Sequence, residues 1–177
     1  MYEFIQRTGE NMSYFLFGSF DVSHNKRLIQ NMKLYGEKRG VYFWFDDEIT
    51  FYQDLPKMCF EQNSCGNVRF GLTSFNQKYN SGDLLFPYNK YTTEELFQDR
   101  SRECFCQCCK NNLNILFDCL QNLMETSTLS CLEIFVVEGY DDVFQRKRCT
   151  LNEMKEELLR QIETTSFIDS CIYQIHI

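Results

Sequence analysis

An α+β fold is what the sequence predicts, and three observations predict it. Short runs rich in aromatic and β-branched residues, such as YFLFGSF and VYFWF, have strand length and strand composition. Two longer segments repeat apolar residues at three and four positions, each preceded by a Thr-x-x-Glu capping pattern. The two kinds of segment are interleaved, in the order β-α-β-β-β-α-β-β-α-β. That order mixes hairpins with helical crossovers and gives one domain over residues 1–177. Its sheet is mixed or mostly antiparallel, with about five to seven strands packed against about three helices.

Along the chain, Glu3 to Gln6 reads as an early strand or a loose start. Tyr14 to Phe20 is apolar on both faces and predicts a central strand. Ser23 is placed to cap a helix running through about Tyr35, with Gly36 as its stop and Gly40 marking the next turn. Val41 to Phe45 is a strand. Asp46, Asp47 and Glu48 break the apolar pattern before Ile49 to Tyr52 resumes it, so the pair reads as a hairpin with an acidic tip. Val68, Phe70 and Leu72 alternate with Arg69, Gly71 and Thr73, the period of a half-buried strand. Gln77 to Tyr91 is a loop punctuated by Gly82 and Pro87.

Thr92 and Glu95 open the longest helical pattern, in which Phe105, Cys109, Leu113, Leu116, Leu120 and Leu123 form the apolar stripe. A helix from Thr93 to Met124 is long for a chain of this size, and a break is expected near Arg100 to Glu103. Leu132 to Val137 is apolar on both faces, hence central. Gly139 to Asp142 turns the chain. Thr150 and Glu153 cap a helix whose stripe is Leu151, Met154, Leu158 and Ile162, and Phe167 to Ile177 ends the sheet.

Composition narrows the function classes. The chain has 177 residues, 44% apolar and 24% charged, an ordinary globular balance long enough for a real core. Its net charge of −7 argues against direct binding of nucleic acid, which selects a basic face. No stretch has the roughly 18 consecutive apolar residues of a membrane span. The N-terminal MYEFIQRTGENMSYFLF is broken by charges and does not read as a signal peptide. The ten cysteines are therefore expected to be reduced thiols of a cytoplasmic protein rather than a disulfide framework.

The chemistry-bearing residues point away from catalysis. Cys104, Cys106, Cys108 and Cys109 do not have zinc-site spacing, and on a helix their thiols diverge; Cys104 and Cys108 share a face and would need Cys59 or Cys65 to complete a site. No metal and no cofactor is expected. Cysteine catalysis would need His24 or His176, and neither lies in a recognisable motif. The phosphate-loop, zinc-protease and nucleophile-elbow patterns are all missing from the sequence. Arg146, Lys147 and Arg148 make a short basic run that pairs with local acids or faces solvent. Two acidic groups remain, Asp46-Asp47-Glu48 and Glu138 with Asp141-Asp142. They read as ordinary turn chemistry, as a surface for a basic partner with Tyr140 as an aromatic anchor, or as paired carboxylates for metal binding or acid/base work.

The segment LEIFVVEGYDDVFQRKRCTLNEMKEELLRQI, followed by IDSCIYQI, resembles the immunity proteins of bacterial contact-dependent growth inhibition systems, over about a quarter of the chain. The resemblance lies in a strand, a Gly-Tyr-acidic turn, a Thr-Leu-x-Glu-Met helix opening and a closing strand. It implies a non-catalytic inhibitor that binds the C-terminal toxin domain of a surface effector and covers its active site. The toxin would be a basic nuclease, acting on tRNA or other RNA more often than on DNA. The expected contact residues are Asp46, Asp47, Glu48, Glu138, Tyr140, Asp141 and Asp142. The alternatives are another acidic binding protein, such as a nucleic-acid mimic, or a cysteine-dependent enzyme. Oligomeric state is left open by the sequence.

Overall fold

Among the described residues, six strands and four helices form, most of them where short apolar runs and amphipathic stripes lie in the sequence. The computed structural model describes residues 14–21, 26–45, 66, 68–74, 91, 93–138, 145–165 and 168–177. In chain order the elements are β1 (Tyr14–Phe20), α1 (Lys26–Glu37), β2 (Val41–Phe45), β3 (Val68–Ser74), α2 (Thr93–Leu96), α3 (Asp99–Thr126), β4 (Leu132–Glu138), β5 (Gln145–Cys149), α4 (Leu151–Thr165) and β6 (Cys171–Ile175). The strands join in one sheet in the order β2-β3-β1-β4-β6-β5. Every neighbouring pair is antiparallel except β5 and β6, which are parallel because α4 carries the chain back between them. The sheet is therefore mixed and the fold α+β. As their two-sided apolar patterns require, β1 and β4 sit in the interior of the sheet.

Strand alternation divides the sheet into two faces. Leu16, Phe20, Phe43, Phe70, Ile134 and Tyr173 share one face, with their strand neighbours of the same parity. They form one core with Leu28 and Met32 of α1, the Phe105-to-Leu123 stripe of α3, and Met154, Leu158 and Ile162 of α4. The stripe read from the sequence is thus the buried face of α3. Gly18 lies in the middle of this face. A Cβ there would overlap the Phe70 ring and come within 2.8 Å of the Glu133 carbonyl oxygen, so only glycine lets Phe70 cross β1.

The helix ends show where local signals hold and where packing overrides them. Thr150 and Glu153 make a reciprocal box. The Thr150 amide donates to Glu153 Oε2 at 2.7 Å, and the Glu153 amide donates to Thr150 Oγ1 at 3.2 Å. The Thr150 amide first, and then the Thr150 hydroxyl, which donates to the same Oε2 at 3.0 Å, hold the Glu153 carboxyl below the usual carboxylate range. Gly36 is not the stop of α1. It is buried inside the last turn because a Cβ would meet the Val41 carbonyl oxygen at 2.7 Å and the Phe43 ring at 2.8 Å. The stop is Gly40, at φ 77° in the left-handed region, whose amide reaches the Glu37 carbonyl at 3.1 Å. The break in the long helical pattern falls at Phe97–Gln98 rather than at Arg100 to Glu103. The closing strand is confined to Cys171–Ile175, shorter than its apolar run. The readings for Glu3 to Gln6, Ser23, Ile49 to Tyr52, Gln77 to Lys90 and Thr92 lie outside the described residues.

Three helices are tied together by polar contacts at their ends. Arg39 at the end of α1 donates to Asp118 of α3 at 2.6 Å while its guanidinium lies 3.5 Å over the Tyr35 ring. Arg102 of α3 donates to the Glu163 carbonyl at 2.7 Å and the Thr164 carbonyl at 3.2 Å, taking up two of the orphan acceptors at the C-terminus of α4.

Gly18→Ala is expected to lower the unfolding free energy by about 1–3 kcal/mol through overpacking of Phe70, measured by urea denaturation; an unchanged midpoint would refute the close approach. Glu153 has a lowered folded-state pKa, so its contribution is present above the unfolded value and is lost as pH falls through the folded value. Thr150→Ala should therefore flatten the acid limb of the stability–pH curve below about pH 4.3, the usual glutamate value.

Candidate functional site

The face of the sheet turned away from the helices carries the unusual chemistry. Each of five adjacent strands places one polar residue there, at one level of the register. Arg69 pairs with Ser19, Ser19 with Glu133, Glu133 with Gln174, and Gln174 with Arg148. The result is a straight polar strip across the sheet. It is flanked by buried apolar residues, Phe17, Phe135 and Ile172 on one side.

Glu133 is the centre of the strip and is 2% exposed. A buried carboxylate needs partners, because desolvation of an unpaired charge costs several kcal/mol. Gln174 Nε2 donates to Glu133 Oε1 at 2.8 Å, and Arg146 on β5 approaches the same oxygen at 3.5 Å. Gln174 is in turn oriented by Arg148, whose Nε donates to Gln174 Oε1 at 3.2 Å. Ser19, directly across from Glu133, is fully buried and its hydroxyl has no hydrogen-bond partner among the described residues. The basic run therefore pairs locally: Arg146 with Glu133, Arg148 with Gln174, and Lys147, on the helix side, with Glu157 of α4.

At the other margin of the same face stand Tyr42 and Trp44 of β2, half-buried, with ring centroids 6.2 Å apart. β2 is an edge among the described strands, and Phe45 leads straight into Asp46-Asp47-Glu48. Those three acids, and Tyr140, Asp141 and Asp142, lie outside the described residues. Glu138 is the last residue of β4 and pairs with Tyr14. The strands that lead into the two acidic groups run antiparallel to each other. β2 leaves the sheet at the end where Phe20, Leu132 and Ile175 lie, and β4 leaves it at the Tyr14 end. The sheet does not bring the two groups out at one end.

Among the described thiols, the shifts that burial produces are upward. The cluster on α3 is spread around the helix, with Cys104 exposed, Cys106 and Cys108 half-buried and Cys109 buried. Burial pushes Cys106 and Cys109 up, and raises Cys119 and Cys171 to about 11. The His176 amide donates to the Cys149 carbonyl at 2.9 Å. Burial, then Glu153 and Glu157, raise the Cys149 thiol, the opposite of what an attacking thiolate requires. His24 lies outside the described residues. Among the described residues, no three His, Cys, Asp or Glu side chains are grouped to hold a metal ion, and no helix is long and apolar enough to cross a membrane.

Native protein treated with iodoacetamide at about pH 8, near the ordinary thiol pKa, is expected to be labelled at Cys104 and spared at Cys109, Cys119 and Cys171 until denaturant is added. Peptide mass spectrometry reads the sites, and labelling of Cys171 as fast as Cys104 would contradict its burial. Compared with known proteins, the chain matches no family model, no curated protein and no solved structure.

Proposed function

We propose that this chain is a non-catalytic immunity protein that binds a cognate toxin domain and covers its active site. The toxin is a basic nuclease acting on RNA or tRNA. The observation that carries the proposal is the margin formed by β2. Two large aromatic side chains, Tyr42 and Trp44, lie together at a sheet edge, and the next residues in the chain are three consecutive acids. Aromatic residues dominate binding energy at interfaces, and carboxylates steer a basic partner into place. The net charge of −7 has the sign that a phosphate-binding cleft attracts. Several cations are already engaged within the fold, at Arg39–Asp118, Arg146–Glu133 and Lys147–Glu157. The upward shifts of the Cys106, Cys109, Cys119, Cys149 and Cys171 thiols support a protein that binds rather than reacts.

The decisive experiment is co-expression with the product of the adjacent gene, followed by purification and a nuclease assay. A stoichiometric complex without nuclease activity is expected, and a neighbour whose activity is untouched by an equimolar amount of this protein would sink the proposal. Trp44→Ala should weaken the complex by roughly 30-fold or more, the usual effect of truncating an aromatic anchor. Reversing Asp46, Asp47 and Glu48 to Lys should mainly slow association and reduce its dependence on salt.

A further inference from the structure

We propose that β5 is a charge-latched strand, which opens from the sheet as a unit of its own while the other five strands stay paired. Its sequence, Gln-Arg-Lys-Arg-Cys, contains no large aliphatic or aromatic residue, and none of its five positions is buried. Hydrophobic burial therefore does little to hold it, in contrast to β4, where Leu132 to Val137 are all buried. It lies at the margin of the described sheet and pairs with β6 alone, in the parallel arrangement, which is the weaker ladder per residue.

What remains is a set of side-chain tethers, and they converge on two carboxylates. On one face Arg146 reaches Glu133, and Arg148 reaches the same carboxylate through Gln174. On the other face Lys147 bonds Glu157 of α4, an oxygen also held by Gln161 Nε2 at 3.0 Å. Arg146 and Lys147 are each about one-third exposed at the side chain, so salt weakens both ion pairs. The two ends of β5 are unequal. At Cys149 the carbonyl accepts the His176 amide at 2.9 Å, and the next residue, Thr150, is locked in the capping box of α4. At the other end Gln145 and Arg146 are exposed. The strand therefore peels from Gln145 and hinges at Cys149, leaving the apolar strand β6 as the new margin of the sheet.

Amide hydrogen exchange on the full chain tests this, read by NMR or by peptide mass spectrometry. In the wild type, exchange of the β5 amides and of the β6 amides bonded to them should speed up on the order of tenfold between about 0.05 and about 0.5 M NaCl, with β1 and β4 unchanged. Glu157→Gln should produce a comparable acceleration at low salt, and Glu133→Gln a larger one because two tethers meet there. Glu37→Gln, on the exposed side of α1, should have no effect on β5. If Glu133→Gln does not fold, Glu157→Gln carries the test alone. The proposal fails if β5 exchanges only with global unfolding, at the protection of β4, or if neither salt nor Glu157→Gln changes its rate.

Discussion

Strand register in this protein depends on one buried carboxylate. Glu133 is a charged side chain that is fully buried, and it stands on β4, the strand to which β1 and β6 are both aligned. In the observed register it faces Gln174 and Arg146. A slip of one residue would turn it toward the helices, into a layer of Leu, Phe, Ile and Met side chains, while Ile134 and Val136 would turn away from them. A buried charge stripped of its partners costs about 3–5 kcal/mol, comparable to a large part of a domain's net stability. The apolar residues of β4 favour burial in either register; Glu133 distinguishes between the two.

The same residue organises the second face. An apolar layer of Phe17, Phe135, Val137 and Ile172 would fit many alignments of their three strands. A polar strip does not, because Gln174 can satisfy Glu133 only from the position directly opposite, and Arg148 can orient Gln174 only from the next strand over. Specificity of pairing thus comes from hydrogen bonds, while the free energy of association comes from the helix-side core, where each buried Leu, Ile or Phe contributes roughly 1.5–3 kcal/mol.

Much of this was legible in the sequence. The two-sided apolar runs at Tyr14 and Leu132 are interior strands, the three-and-four spacing from Phe105 to Leu123 is the buried stripe of α3, and the Thr150–Glu153 box closes as its spacing implies. What was missed depends on contacts between distant segments. Gly36 looks like a helix stop until Phe43 is packed against it. The polar strip had a signal that goes unnoticed strand by strand: YFLFGSF, VRF, LEIFVV and CIYQI each carry one polar residue at an otherwise apolar or alternating site. Their meaning lies in the register, which no single strand contains. The acidic groups were conspicuous in composition, but the opposite exits of β2 and β4 follow only from strand direction.

The two margins of the sheet are chemically unequal, and that inequality bears on where a partner can bind. An open sheet edge is a template for another chain, and cationic side chains along an edge discourage such pairing. β5 has three of them in succession. They are also committed inward, to Glu133, Gln174 and Glu157, so a partner arriving there would have to break contacts that hold the strand in place. β2, Val-Tyr-Phe-Trp-Phe, contains no cationic side chain. It is backed by α1, with Gly36 against Phe43 and Lys33 over Phe45, which makes it a supported margin rather than a latched one. Its outward residues are aromatic, and the chain continues from it into carboxylates. Under the proposed function, a basic cleft docking at the helix-backed aromatic margin leaves the β5 tethers intact.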